Sequence, residues 1–285
     1  MTPISMPKSL IENVGTHDEG KAWIAALPDA ITEFARRWSI ALAEPFDGEA
    51  SCSWVAPCQR ADGSQAIFKI GWPHMESLDE IEGMRFWAGD PTAYLLEGDA
   101  EQNAMLLERC MPGTVLRTLP EEEQDEIISV LMRRLWRAPA APHPFRPLRE
   151  MIDYYCDSAR QRSYQWLDAD LVTAGIEVYQ ELIQSTTEHV LLATDLHAGN
   201  VLMAEREPWL VIDPKPFVGD PAYDATQHLL NCLPRLAADT RGTINRFANL
   251  LGIDPERIRL WLFARVATCN WGDSEEILQL ARQLT

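Results

Sequence analysis

The chain has 285 residues, 46% of them hydrophobic and 24% charged, with a formal net charge of −18. That balance excludes a nucleic-acid binder, which needs a basic footprint, and the length suffices to bury a large core and form two lobes. The acidity is spread along the chain and serves solubility as readily as it would attract a cationic partner. Six cysteines, Cys52, Cys58, Cys110, Cys156, Cys232 and Cys269, show neither metal-ligand spacing nor disulfide-scaffold density. With no signal-like run and no apolar stretch of membrane length, this predicts a protein of the reducing cytoplasm, away from membranes.

In chain order, Glu19 to Trp38 carries Trp23, Ile24, Leu27, Ile31 and Phe34 at near-helical spacing, which predicts a helix broken at Pro28. A strand follows over Ser51 to Cys58, alternating around Trp54 and Val55, and Ala61-Asp62-Gly63-Ser64 supplies a hairpin signal. The return strand, Ala66-Ile67-Phe68-Lys69-Ile70, sets a lysine inside an apolar run in a chain with few lysines. Two readings stand for Lys69: a phosphate-gripping lysine like that of the kinase Val-Ala-Ile-Lys strand, or a lysine snorkelling from an edge strand.

Met75 to Trp87 reads as a helix with Leu78, Ile81, Met84 and Ala88 on one stripe. Glu80 on this helix is the candidate partner for Lys69, with Glu76 and Glu82 as alternatives. Ser77-Leu78-Asp79-Glu80 is also a capping-box sequence, in which Glu80 would bond only the backbone at Ser77. Leu119-Pro120 followed by three glutamates predicts a helix with Pro at its first position, burying Ile127, Ile128, Leu131 and Leu135. The proline-rich stretch from Arg137 to Pro147 reads as a connector, and Met151 to Arg162 as a further helix.

The segment Val190 to Asp213 carries the most chemistry. Its three apolar runs, Val190-Leu191-Leu192, Val201-Leu202-Met203 and Trp209-Leu210-Val211-Ile212, predict three short strands. Asp195 and Asn200 then fall in a tight loop between the first two, and Asp213 just past the third. An Asp to orient an attacking hydroxyl, with an Asn and a later Asp to hold Mg²⁺ against phosphates, is the set that ATP-dependent phosphoryl transfer needs. The alternative is surface turns with ordinary Asx caps. Asp213 is followed almost at once by Gly219-Asp220-Pro221, which leaves no room for a peptide-docking segment and predicts a small-molecule acceptor.

Asp195-Leu-His-Ala-Gly-Asn200, Ile212-Asp213-Pro-Lys-Pro, Gly219-Asp220-Pro and Leu106-Leu-Glu-Arg109 with Pro112-Gly113 together resemble the aminoglycoside phosphotransferase superfamily, most closely its streptomycin 6-kinase-like and hydroxyurea phosphotransferase branch. The likeness spans nearly the whole chain. It implies an α+β, protein-kinase-like two-lobed fold: an N-terminal nucleotide-binding lobe over residues 1–108, with a small antiparallel sheet and a helical lead-in, and a mostly helical catalytic and substrate lobe over 109–285 that begins with the hinge. It further implies ATP and Mg²⁺ as cofactors, Asp195 as catalytic base or acceptor-orienting carboxylate, and Asn200 and Asp213 as metal ligands. Lys69 would hold the α/β-phosphates. His197 would either touch the transferred phosphate or satisfy its own loop. Arg109-Cys110-Met111 would be the hinge whose backbone reads adenine. Asp220 would brace the catalytic loop.

Two departures accompany the likeness. Most aminoglycoside kinases carry His-Gly before the catalytic Asp, where this chain has Ala193-Thr194. The nucleotide loop, Phe46 to Ser53, has one glycine where protein kinases have three, so phosphate gripping would fall to Ser51 or Ser53 hydroxyls and backbone amides. Trp166, Trp261 and Trp271 either line a pocket or belong to the core. Asp224 is expected to recognise guanidinium or ammonium groups; Asp273, Glu275 and Glu276 either do the same or form a solvated face. The sequence thus predicts a small-molecule O-kinase acting on a hydroxylated substrate, cationic if the branch resemblance extends to the acceptor. The alternatives are a kinase of a sugar, choline-like or amino-alcohol metabolite, or a nucleotide-binding pseudokinase.

Overall fold

The computed structural model describes residues 4–47, 52–163, 168–268 and 275–285. Two compact units emerge: residues 1–113 with 204–206, and residues 114–203 with 207–285. The fold is α+β, with an antiparallel sheet in the first unit and mostly helices in the second.

In the first unit, α1 (Lys8–Val14) and α2 (Asp18–Arg37) precede β1 (Ile40–Leu42), β2 (Ser53–Arg60), β3 (Gln65–Gly71), α3 (Glu80–Trp87), β4 (Leu95–Asp99) and β5 (Ala104–Glu108). The five strands form one antiparallel sheet in the order β1-β2-β3-β5-β4. Asp62 makes the β2–β3 turn, its Oδ1 accepting from the Ser64 N–H at 2.9 Å, while Gly63 takes the positive φ of 85° that the reversal needs. Strand alternation sends Ala66, Phe68 and Ile70 to one face, where they join Trp54, Ala56, Leu27, Ile31 and Phe34 in a single buried cluster. Full burial of a Phe68-sized side chain contributes about 1.5–3 kcal/mol.

That cluster explains why α2 runs unbroken through Pro28, against the expected break. A mid-helix proline costs about 3 kcal/mol, but Leu27, Ile31 and Phe34 are all buried on the same stripe. Two further corrections concern α3, which begins at Glu80, five residues later than expected. Leu78 therefore lies outside it and is 56% exposed, Ala88 is the exposed left-handed cap, and the buried stripe is Ile81, Met84 and Trp87. Arg206, from the short stretch 204–206, donates to Gly89 O at 2.8 Å, to Thr92 O at 2.9 Å and to both Glu108 carboxylate oxygens, with its guanidinium 4.0 Å from the centre of the Tyr94 ring.

The second unit contains α4 (Glu121–Leu135), α5 (Leu148–Gln161), α6 (Ala169–Ser185), α7 (Pro221–Leu230), α8 (Leu233–Ala238), α9 (Thr240–Leu251), α10 (Pro255–Thr268) and α11 (Glu275–Leu284). Between α6 and α7 lie two small antiparallel ladders, β6 (Val190–Leu192) with β9 (Phe217–Gly219), and β7 (Val201–Leu202) with β8 (Leu210–Val211). The three strands anticipated around the Asp195 loop thus form, and β9 adds a fourth. Pro120 caps α4 from outside its first turn, and Ile127 is only half-buried. Helix α10 is buried from Trp261 to Thr268 and packs on α6, where a Cβ at Gly175 would stand 2.8 Å from that of Ala267.

A charged seam crosses this helical core. Asp125 of α4 is fully buried, with His228 Nε2 at 2.8 Å, two Arg235 nitrogens at 2.7 Å each and Arg246 Nε at 3.3 Å. Burial alone would raise its carboxyl, but the hydrogen bonds from Arg235 and His228 outweigh that and hold it at about 2. Trp261 resolves to core: it is fully buried, and its indole N–H donates to Asp220. Trp166, Trp271 and Asp273 lie outside the described residues.

Candidate active site

The Asp195 loop is shaped before it is functional. As the chain leaves β6, Thr194 adopts a positive φ of 44°, which a β-branched residue takes only when its surroundings enforce it. Four hydrogen bonds do so. Asp224 accepts from the Thr194 N–H at 2.7 Å and from the Ala193 N–H at 3.0 Å, Thr194 Oγ1 donates to Lys215 O at 2.6 Å, and Lys215 N–H donates to Ala193 O at 2.7 Å. Thr194 is thus held by its own N–H and hydroxyl, and its neighbour Ala193 by its N–H and carbonyl.

Asp224 is therefore not a substrate carboxylate. It is fully buried, its oxygens accept from the two backbone amides and from Trp136 Nε1 at 2.9 Å, and burial pushes its carboxyl up to about 6. The expectation for Asp220 is corrected in the same way. Its Oδ1 caps α7 at Ala222, and its Oδ2 accepts from Arg257 Nε at 2.5 Å and Trp261 Nε1 at 2.7 Å, which ties α7 to α10. The brace on the Asp195 loop is Asp224. Glu275 and Glu276 stand in the first turn of α11, where carboxylates suit the helix dipole.

Asp195 is partly exposed, its side chain at 31%. Its Oδ1 accepts from Gln227 Nε2 at 2.6 Å, while Asn200 Nδ2 donates to its backbone oxygen at 3.0 Å. His197 Nδ1 accepts from the Gly199 N–H at 3.0 Å and lies 3.1 Å from Arg117 Nη2. A Cβ at Gly199 would come within 2.7 Å of the His197 ring, so this turn requires glycine. Burial chiefly, and the Arg117 charge next, lower the imidazole to about 4. The ring is then neutral near pH 7, and because Nδ1 accepts, its proton sits on Nε2, 3.9 Å from Asp195 Oδ1.

Strand register brings Asn200 and Asp213 to one end of the β7–β8 ladder. Val201 pairs with Val211, and the Ile212 N–H donates to Asn200 O at 2.9 Å, so Asp213 follows directly. Asp213 has a positive φ of 54°, and its Oδ1 pairs with Lys215 Nζ. With the Asn200 amide nitrogen turned toward Asp195, the side chains at this end offer an amide oxygen and a carboxylate. That oxygen-only set fits Mg²⁺, which needs few protein ligands and takes the remainder from phosphate and water.

In the first unit, Lys69 lies on β3, a central strand paired to Val55 of β2 and Met105 of β5, so the edge-strand reading is overturned. The lysine is 6% exposed, and its Nζ donates to both Glu80 carboxylate oxygens, at 2.6 and 2.7 Å. Glu80 is thus engaged by a side chain and not by a capping box. Ser77 Oγ is occupied with Trp72 O and His74 O, both at 3.1 Å, and no helix starts at Ser77. Ser53 opens β2 opposite Gly71, Arg109 donates to Gln65 Oε1 at 2.9 Å, and Met111 is 42% exposed beyond the end of β5. Ser51 lies outside the described residues.

Lys215, Gln227, Arg265 and Arg117 were not singled out from sequence. Lys215 carried the plainest signal, a lysine two residues after Asp213 in Asp213-Pro-Lys.

Residues 37–274 match the family model described as aminoglycoside/hydroxyurea antibiotic resistance kinase. The chain is 35% identical to streptomycin 6-kinase of Streptomyces griseus over 96% of its own length and 92% of that protein's, and 33% identical to hydroxyurea phosphotransferase of Kitasatospora aureofaciens over 88% and 75%. Among solved structures, it is similar to the choline kinase LicA of Streptococcus pneumoniae, with a TM-score of 0.63 at 15% identity over 90% of this chain and 96% of that one. At that identity the likeness speaks for the fold alone.

Proposed function

The chain belongs to the aminoglycoside/hydroxyurea antibiotic resistance kinase family, and from that premise we propose that it transfers the γ-phosphoryl group of ATP to a hydroxyl of a small antibiotic of the streptomycin or hydroxyurea type. The observation that carries the reading is the register of the Asp195 loop and the β7–β8 ladder, which gathers Asp195, Asn200 and Asp213.

Asp195 accepts the proton of the attacking hydroxyl and aims it in line with the leaving oxygen. Asn200 and Asp213 hold Mg²⁺, which when bound neutralises charge on the phosphates. Lys69, fixed by Glu80, grips the α/β-phosphates. Neutral His197 turns its Nε2–H toward Asp195 and the transferred group and withholds a second positive charge. A Ser51 or Ser53 hydroxyl and backbone amides of the Phe46 to Ser53 segment take the phosphates, and the backbone at Arg109 and Met111 takes adenine. Positioning and electrostatic preorganisation supply most of the rate.

The test is Mg²⁺-dependent ADP release across streptomycin, other aminoglycosides, hydroxyurea, choline and simple sugars. Streptomycin or hydroxyurea is expected to accelerate turnover, and Asp195→Ala to lower kcat by about 10²–10⁴-fold while leaving nucleotide affinity intact. An active Asp195→Ala enzyme would remove Asp195 from its role. Acceleration by choline or a sugar alone would move the acceptor outside the antibiotics.

A further inference from the structure

Helix α10 carries a guanidinium into the core of the second unit. Arg265 is 9% exposed, its Nη1 donates to Thr226 Oγ1 at 2.6 Å, its Nη2 donates to Gln227 Oε1 at 2.6 Å, and its Cζ lies 5.0 Å from the centre of the Tyr223 ring. Gln227 Nε2 in turn donates to Asp195 Oδ1 at 2.6 Å. A glutamine amide has one accepting and one donating end, and the two can exchange by a half-turn, whereas arginine can only donate. Facing Arg265, Gln227 must present its oxygen, so its N–H₂ must face Asp195. The sense of the chain Arg265 to Gln227 to Asp195 is therefore dictated by the one member that cannot reverse.

Helix α7 applies this control together with a second one. Asp224 and Gln227 are three residues apart and share a face of the helix. Asp224 holds the backbone amides immediately before Asp195, and Gln227 holds the Asp195 side chain itself. Asn200 Nδ2 also faces the carboxylate, 3.4 Å from Oδ2. Of these two contacts only the one to Oδ1 is short and well formed.

We propose that Gln227 is a positioning residue for phosphoryl transfer: it pins one oxygen of Asp195 so that the other meets the acceptor hydroxyl, and Arg265 locks the Gln227 amide in the donating sense. This rests on Asp195 being the acceptor-orienting carboxylate. Gln227 and Arg265 take no proton and form no bond to substrate; they act through the orientation of Asp195 alone, and misplacement by about 1 Å at such a group costs on the order of 10²-fold in rate.

Gln227→Glu separates this role from a merely structural one. The substituted carboxylate still offers Arg265 an oxygen, now charge-assisted, but it meets Asp195 with a like charge in place of a donor. The experiment measures kcat and KM for MgATP on the full chain, with streptomycin and with water alone as acceptor, alongside Tm, for Gln227→Glu, Gln227→Leu, Asp195→Ala and the double variant Gln227→Leu/Asp195→Ala. Both Gln227 variants are expected to lose about 10–100-fold in kcat, with KM for MgATP within about two-fold of wild type. The double variant is expected to be no slower than Asp195→Ala, because Gln227 acts only through Asp195. Wild-type kcat in Gln227→Glu, or additive losses in the double variant, would overturn the proposal while leaving Asp195 in place. Full activity in Asp195→Ala would overturn the premise itself.

Discussion

Asp125 and Asp224 are both fully buried in the second unit, yet their surroundings satisfy them in opposite ways. Asp125 is met by cations, the Arg235 and Arg246 guanidinium groups, and by the His228 imidazole, and its carboxyl is held at about 2. Asp224 is met by three neutral N–H donors, from Trp136, Ala193 and Thr194, and burial drives its carboxyl up to about 6. Neutral dipoles supply hydrogen bonds but offset less of the desolvation of a charge. The first arrangement fastens helices together; the second shapes a loop, because backbone amides are what it binds.

The largest expected effect comes from breaking the ionic arrangement. Asp125→Ala leaves Arg235 and His228 without their buried acceptor and should lower unfolding stability by about 3–5 kcal/mol, read by urea denaturation. Asp224→Asn is milder in stability but reaches the Asp195 loop. The substituted amide turns a donor toward donors, which should cost about 1–3 kcal/mol, and kcat should fall as Thr194 loses the acceptor that holds its positive φ; unchanged kcat would detach Asp224 from the loop.

The two carboxylates should also differ in the sign of their pH dependence. Asp224 is raised from 3.8 to about 6, so between those values the folded state retains a proton that the unfolded chain has released. Its contribution is full below the unfolded value and is lost as pH rises through about 6. Unfolding free energies of wild type and Asp224→Asn should therefore diverge by roughly 1–3 kcal/mol as pH is lowered from 7 to 4. Asp125, depressed to about 2, contributes above 3.8 and loses that contribution as pH falls through about 2. The smallest effect is expected of Thr194→Gly. It gives up the hydroxyl bond to Lys215 O but relieves a left-handed β-branched backbone, and the opposed terms, each about 1–2 kcal/mol, should leave Tm nearly unchanged.

Much of the frame was legible in the sequence because it is written in local patterns. The apolar runs at Val190, Val201 and Leu210 marked the ladders, and the Asp62-Gly63 turn set Lys69 on its strand. The partner of Lys69 was legible only to within three glutamates, since one helix turn decides which faces the sheet, and α3 begins at Glu80. Asp224 was misread as a substrate carboxylate because nothing local distinguishes an acid that binds ligand from one that binds backbone amides thirty positions away. Asp125 was missed although it left a trace: it falls on the buried stripe with Ile128, Met132 and Leu135, where a carboxylate requires a partner. Its partners lie about a hundred residues on, beyond the reach of periodicity. Pro28 shows the converse, a strong local signal overruled by the packing of α2.

The short stretch 204–206 gives the first unit a non-contiguous pedigree. Arg206 closes over Glu108, Gly89, Thr92 and Tyr94, so a gene fragment ending at Gly113 would encode the sheet without the clasp that neutralises Glu108. Exchange of first units between relatives, by recombination or by an engineer, must carry that arginine with its glutamate as a linked pair. A chimera joined at residue 113 inherits the two from different parents and functions only where both parents kept the match.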